Sequence, residues 1–241
     1  MIRDVDIRDI SDGRFYRAND MVRADTGGCS GCSRCCYGMK DTILADPLDV
    51  MRLEKVTGKT FDMLLDGFLN LRMADGLILP CLAMTGEAAD GTPLPEEEQH
   101  CVFLNTESGR CSVHAARTGF CRLYPLGRYY QGDEFVYFLQ VHECDHVKTK
   151  IRVKNWIDTP DLPRYEEFIR QWHAFLNVAR HAADMAGEGE EADAEHSVRR
   201  LICLVILEVF YRTAWEEEED FYPQFEQRVR EACRRIGIAA E

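Results

Sequence analysis

The sequence predicts an α+β fold, mainly α, in which an irregular cysteine-rich metal-binding core with short β-hairpins is followed by a C-terminal helical bundle. Three observations carry this expectation. Residues 29 to 36 hold four cysteines in the pattern CxxCxxCC, and five more follow at Cys81, Cys101, Cys111, Cys121 and Cys144. Between these cysteines lie short aromatic and β-branched runs separated by turn residues. From about Asp161 the composition changes, and apolar residues recur at helical spacing.

The elements follow in order. Residues 1–26 read as a lead-in, and Gly27 and Gly28 supply the freedom to enter a tight sulfur-binding loop. Residues 27–150 form the expected metal- or iron-sulfur-binding domain. In it, Asp46-Pro47 offers an N-cap and a first-turn proline for a helix to about Val56, and Thr60 caps another containing Phe61, Leu64, Leu65 and Phe68. Leu77 to Leu82 reads as a strand carrying Cys81, and Thr85 to Gln99 as a surface loop. Cys101 to Leu104 reads as a second strand, and the polar turn from Asn105 to Arg110 suits a hairpin facing Cys101 toward Cys111. A clearer hairpin joins Arg128 to Tyr130 with Phe135 to Val141 through Gln131-Gly132-Asp133.

Residues 151–241 form the expected helical region packed on that domain. Pro163 starts a helix through Ala179, Gly187 to Glu195 is an acidic connector, and a buried helix runs from about Ala194 to Ala214. Phe221, Phe225, Val229, Cys233 and Ile236 outline a last helix stopped by Gly237.

Composition restricts the function. At 241 residues, with 46% hydrophobic and 10% aromatic content, the chain can bury a substantial core. Its net charge of −13 repels phosphate backbones and anionic membranes, so neither nucleic acid nor a membrane is an expected partner. The N-terminal stretch has no continuous apolar run, and Leu201 to Leu207 is far shorter than the roughly 20 residues a membrane span requires. The expected location is the cytoplasm. No nucleophile elbow or HExxH pattern supports hydrolysis.

The cysteines point to metal. An odd total of 11, no export signal and the tight CxxCxxCC run all weigh against a disulfide framework. Cys203 and Cys233 stand apart, in apolar helical patterns where cysteine acts as a small buried hydrophobe. Cys29, Cys32 and Cys35 repeat the CxxCxxC step of bacterial ferredoxins, in which a remote cysteine completes the cluster. Cys121 or Cys144 suits that role, and nine clustered thiols nearly match the eight that two clusters would use. One or two iron-sulfur clusters of the 4Fe-4S type are therefore favoured over zinc, whose modules pair two CxxC steps. Neighbouring side chains in irregular backbone diverge, so Cys35 and Cys36 are expected to play different roles. His114 and His142 are the leading histidine candidates, and Arg110 and Arg122 flank ligand positions where they would offset thiolate charge.

With Cys101-Val-Phe-Leu, Arg110-Cys111-Ser-Val-His114 and Cys121-Arg122-Leu-Tyr124-Pro125 added to the CxxCxxCC run, the chain resembles the YkgJ-type cysteine-cluster family, also described as a zinc- or iron-chelating CxxCxxCC domain. The resemblance implies Cys29, Cys32, Cys35, Cys36, Cys101, Cys111 and Cys121 as metal ligands, with Cys81 and Cys144 as companions. The chain departs from the family pattern at His114 and at Arg117-Thr118, where that pattern has Tyr and Arg-Pro. The expected function is metal binding with a redox or electron-transfer role and a protein redox partner. Two alternatives stand beside it: a cluster-dependent group-transfer enzyme resembling protein lysine N-methylases, with a protein substrate, and a zinc-stapled binding module.

Overall fold

The protein was analysed as a computed structural model that describes residues 6–25, 32–88, 90–132, 134–144, 148–185 and 192–239. A single helical turn, α1 (Ile7–Ile10), leads into β1 (Ser11–Tyr16) and β2 (Met21–Asp25). These lead-in strands are built into the rest of the molecule. β1 pairs antiparallel with β10 (Glu134–Gln140), which also pairs with β9 (Leu126–Gln131), and β2 pairs with β11 (Thr149–Arg152). The β9–β10 hairpin matches expectation, with Gly132 at φ 67° taking the left-handed position of its turn.

α2 (Pro47–Thr57) starts at a full capping box. The Asp49 amide donates to Asp46 Oδ1 at 2.8 Å, and the Asp46 amide donates to Asp49 Oδ2 at 3.3 Å. Gly58, at φ 67°, ends the helix. α3 is shorter than expected, one turn over Phe61–Leu64, because Gly67 at φ 90° redirects the chain into β3 (Leu69–Ala74). β3 pairs with β4 (Leu77–Leu82), the strand expected from sequence. Asp75 and Gly76, at φ 48° and 83°, close this hairpin, and that Asp-Gly pair is the signal for the strand that sequence reading passed over.

Cys101 to Leu104 is not one strand. β5 (Met84–Thr85) pairs with β6 (His100–Cys101), and β7 (Leu104–Asn105) pairs with β8 (Arg110–Cys111). The hairpin over 104–111 exists, but its register places Leu104 opposite Cys111, so Cys101 lies outside it. α4 (Gly119–Leu123) and α5 (Val153–Ile157) meet where the Trp156 indole donates to the carbonyls of Leu123 and Tyr124 at 3.3 and 3.2 Å.

The C-terminal region follows expectation closely. α6 (Leu162–Met185) carries Pro163 in its first turn, α7 (Ala192–Ile206) continues into a π-helical turn over Leu207–Arg212, and α8 (Phe221–Ile236) ends at Gly237 with φ 81°. The Arg228 guanidinium stands 3.5 Å from the Trp215 ring centroid and donates to the carbonyls of Val209, Thr213 and Ala214, satisfying acceptors the π turn leaves open. Helix outweighs strand, as a mainly α mixed fold requires. Among the described residues no helix is long and apolar enough to cross a membrane. The Tyr211 hydroxyl donates to the Ala45 carbonyl at 3.1 Å, and Tyr137 donates to Glu166 at 2.7 Å, which seats the helical layer against α2 and the three-stranded sheet.

Candidate metal centre

A cavity of about 1180 Å³ runs between the cysteine-rich loops and α6, and five thiols line it: Cys35, Cys36, Cys101, Cys111 and Cys121. Separate local devices deliver them. Cys35 and Cys36 sit on a 3-10 turn over Arg34–Cys36, closed by the Cys36 amide donating to the Ser33 carbonyl at 2.8 Å. The next residues join β6, because the Gly38 amide donates to the Gln99 carbonyl at 2.9 Å and Tyr37 bridges His100. That junction brings the CC pair beside Cys101. Cys111 ends β8, and the Ser112 amide donates to the Phe103 carbonyl at 2.7 Å. Cys121 lies in α4, whose N-cap Thr118 accepts from the Cys121 amide at 3.4 Å.

The 3-10 turn corrects the expectation that Cys35 and Cys36 diverge. Helical backbone keeps both on the cavity side, and the Cys36 thiol donates to Cys35. With that hydrogen bond, and with Arg117 nearby, Cys35 is lowered to about 7. The same hydrogen bond pushes Cys36 up, aided by burial and by Cys101 and Cys121. Burial, then the neighbouring thiols, raises Cys101 to about 11, and burial raises Cys121 to about 12 and moves Cys111 up as well. Four of these five thiols are thus held protonated by burial and by one another. A thiophilic cation placed among them removes that mutual penalty, since a coordinated thiol gives up its proton. The donor set suits a metal or cluster in this way. Among the described residues, though, no three Cys, His, Asp or Glu side chains stand close enough to enclose one ion.

The remaining sequence candidates are placed differently. Cys29 lies outside the described residues. Cys32 is half-buried ahead of the 3-10 turn and does not line the cavity. Cys144 is half-buried and does not line the cavity, and it lies near Tyr124, whose hydroxyl donates to the Glu143 carbonyl at 2.6 Å. Cys81 occupies another neighbourhood. It is fully buried in β4, its thiol reaches the Asn70 carbonyl at 3.6 Å, and burial raises it. His114 lines the cavity, and burial and then Arg117 lower its pKa, which favours the neutral imidazole that binds metals. His142 is exposed, at φ 64°, and is not among the cavity-lining residues. Cys203 and Cys233 are buried in the helical layer, as expected.

Sequence reasoning assigned Arg122 an electrostatic role, but its guanidinium is engaged by the carbonyls of Ala115, Arg117 and Asp158. It clamps the turn before α4 to the end of α5. Arg117, which sequence reading noted only as a departure from the family pattern, is the cation beside Cys35 and Cys111, and its buried Nε has no hydrogen-bond partner. The departures at Arg117-Thr118 therefore supply a charge next to the thiols and the cap of the helix bearing Cys121. Two further residues lay hidden because their roles arise across the fold. Asp49 is 1% exposed and accepts from the Gly119 amide at 2.8 Å, and Gly119 itself leaves no room for a side chain against the Tyr165 hydroxyl.

No curated protein and no solved structure matches the chain. The model of the CxxCxxCC family, described as a putative zinc- or iron-chelating domain, matches residues 28–145, the stretch that carries the clustered cysteines.

Proposed function

We propose that this is a cytoplasmic iron-sulfur protein with a redox role, in which Cys35, Cys36, Cys101, Cys111 and Cys121 supply the ligands and a protein partner exchanges electrons with the centre. The observation that carries this reading is the convergence of these five thiols, from separate stretches of chain, on one cavity. Iron-sulfur is preferred to zinc on two grounds. Cys35 is the last cysteine of a CxxCxxC step, the spacing found in ferredoxins. A cluster also interposes its own iron and sulfide between the protein sulfurs, so its ligands stand farther apart than those around one ion, which agrees with thiols that share a cavity without enclosing an ion-sized point. When bound, the cluster would supply one-electron chemistry. Arg117 would offset its negative charge, and Cys35, which is exposed, would place it near the surface where a partner can dock.

A second reading, a cluster-dependent group-transfer enzyme, is favoured by the extent of the cavity, which continues past the thiols along α6 to Trp172 and Arg180. Anaerobic purification followed by iron, sulfide and zinc analysis tests the metal assignment. Brown protein with iron and sulfide, and loss of colour in Cys101→Ser and Cys121→Ser, is expected. Colourless protein containing zinc would replace the redox reading with that of a zinc-stapled module.

A further inference from the structure

Beyond the thiols, the cavity wall carries a connected polar row in otherwise apolar surroundings. Arg128 on β9 stands beside Tyr130, two residues along the same strand, and its charge favours ionisation of that hydroxyl against burial. The Tyr130 ring stacks on His173 with centroids 3.7 Å apart, Asn177 Nδ2 lies 3.2 Å from His173 Nδ1, and Arg180 Nη2 donates to Asn177 Oδ1 at 3.1 Å. All five line the cavity. His173, Asn177 and Arg180 share one face of α6, and His173 to Arg180 spans about 10 Å along it.

The ends of the row are cationic and incompletely satisfied. The Nε of Arg128 and the Nε of Arg180 are both sealed from solvent and lack a hydrogen-bond partner. Arg128 is half-buried, its Nη2 donates to the Tyr165 hydroxyl at 3.2 Å, and its guanidinium lies against the rings of Phe135 and Tyr165. A buried guanidinium with an unused donor costs more than a neutral orphan, since a charge-assisted bond is forgone. Asp46 is the nearby carboxyl that Arg128 feels, but its Oδ1 is engaged by the Asp49 amide and burial pushes it toward its neutral form. Arg117 faces the thiols instead.

We infer that this wall of the cavity binds an organic anion, a carboxylate or phosphate monoester whose apolar body lies against Trp172 and Leu176 and whose anionic head is held by the guanidinium at one end of the row, Arg128 or Arg180. The ligand chemistry is that of a small substrate or effector placed beside the metal centre. It does not depend on which metal the thiols hold.

Anaerobically purified protein, titrated calorimetrically with octanoate, octyl phosphate and octanol while its tryptophan fluorescence is followed, tests this. At least one of the two anions should bind tenfold or more tightly than octanol, and which one binds identifies the head group. Arg180→Gln, at a partly exposed helix position, should weaken the anion about tenfold with an unchanged melting temperature, or Arg128→Lys, which keeps the charge but loses the fork, should do so in the protein that remains folded. Absence of binding by both anions, octanol binding as tightly as they do, or wild-type anion affinity in both variants would overturn the inference. Metal analysis of the same preparation reports separately on the thiol centre, so the two readings fail independently.

Discussion

Around Phe225, aromatic rings pack edge to face and offset: Phe168 at 4.7 Å, Phe210 at 5.8 Å, Phe221 at 5.9 Å and Trp172 at 6.2 Å. Around Cys101, the chain runs in strands of two residues joined by turns. The first region gains its stability from apolar area and ring contacts that exist as soon as the helices meet. The second has little regular backbone pairing, and its buried thiols oppose one another's ionisation. The first half is therefore expected to hold itself together, and the second to be completed by what it binds.

Metal removal should break this comparison most visibly. Binding to structural sites of this kind contributes on the order of 10 kcal/mol, much of it as folding free energy. Anaerobic chelation is expected to leave most helical circular dichroism while the segment from Cys35 to Cys121 becomes sensitive to protease. Equal resistance with and without metal would mean the thiol loops hold themselves.

Phe225→Ala attacks the other half. Removing a fully buried ring from the aromatic cluster should cost about 3–5 kcal/mol in urea unfolding, with metal content per folded molecule unchanged. A proportional loss of metal would show that the two regions are one cooperative unit at the centre itself.

Gly119→Ala probes the seam between them, because the new methyl collides with the Tyr165 hydroxyl. A cost of about 1–3 kcal/mol is expected from overpacking, and Tyr165→Phe in that background should recover part of it. A neutral Gly119→Ala in thermal melts would remove the steric account.

Asp49 sharpens the seam through pH. Burial, then the Asp46 charge, holds its pKa well above the ordinary 3.8, so from pH 3.8 upward to the folded value the unfolded chain releases a proton that the folded chain keeps. Stability from this group therefore falls as pH rises through that window, by up to about 1.4 kcal/mol per unit. Asp49→Asn lacks the slope and should gain on wild type as pH rises. Parallel pH profiles of the two proteins would refute the assignment.

The smallest effect separates the two kinds of cysteine. Cys203→Ala and Cys233→Ala should each cost about 1 kcal/mol through lost packing and leave metal content and visible absorption untouched. Cys203 gives up one further contact, since its sulfur accepts from the Ile78 amide at 3.3 Å. Lost colour in either variant would place a ligand in the helical layer.

Much was legible from residues alone, where the signal is local. The Asp46 cap, Pro163, Gly237 and the 3.6-residue apolar period specify α2, α6 and α8 because capping and amphipathic burial act within a few turns of chain. The likeness to a zinc- or iron-chelating CxxCxxCC domain was legible too, since CxxC spacing is itself a chemical constraint. Tertiary structure decided which thiols meet. Cys35, Cys36, Cys101, Cys111 and Cys121 converge while Cys81, equally placed in sequence, is enclosed beside Asn70. The register of a two-residue strand and the placement of a 3-10 turn depend on packing partners far along the chain. For the same reason Arg117, Asp49, Gly119 and the polar row from Arg128 to Arg180 carry no local signature: each acquires its role only when α4, α6 and β9 are brought together.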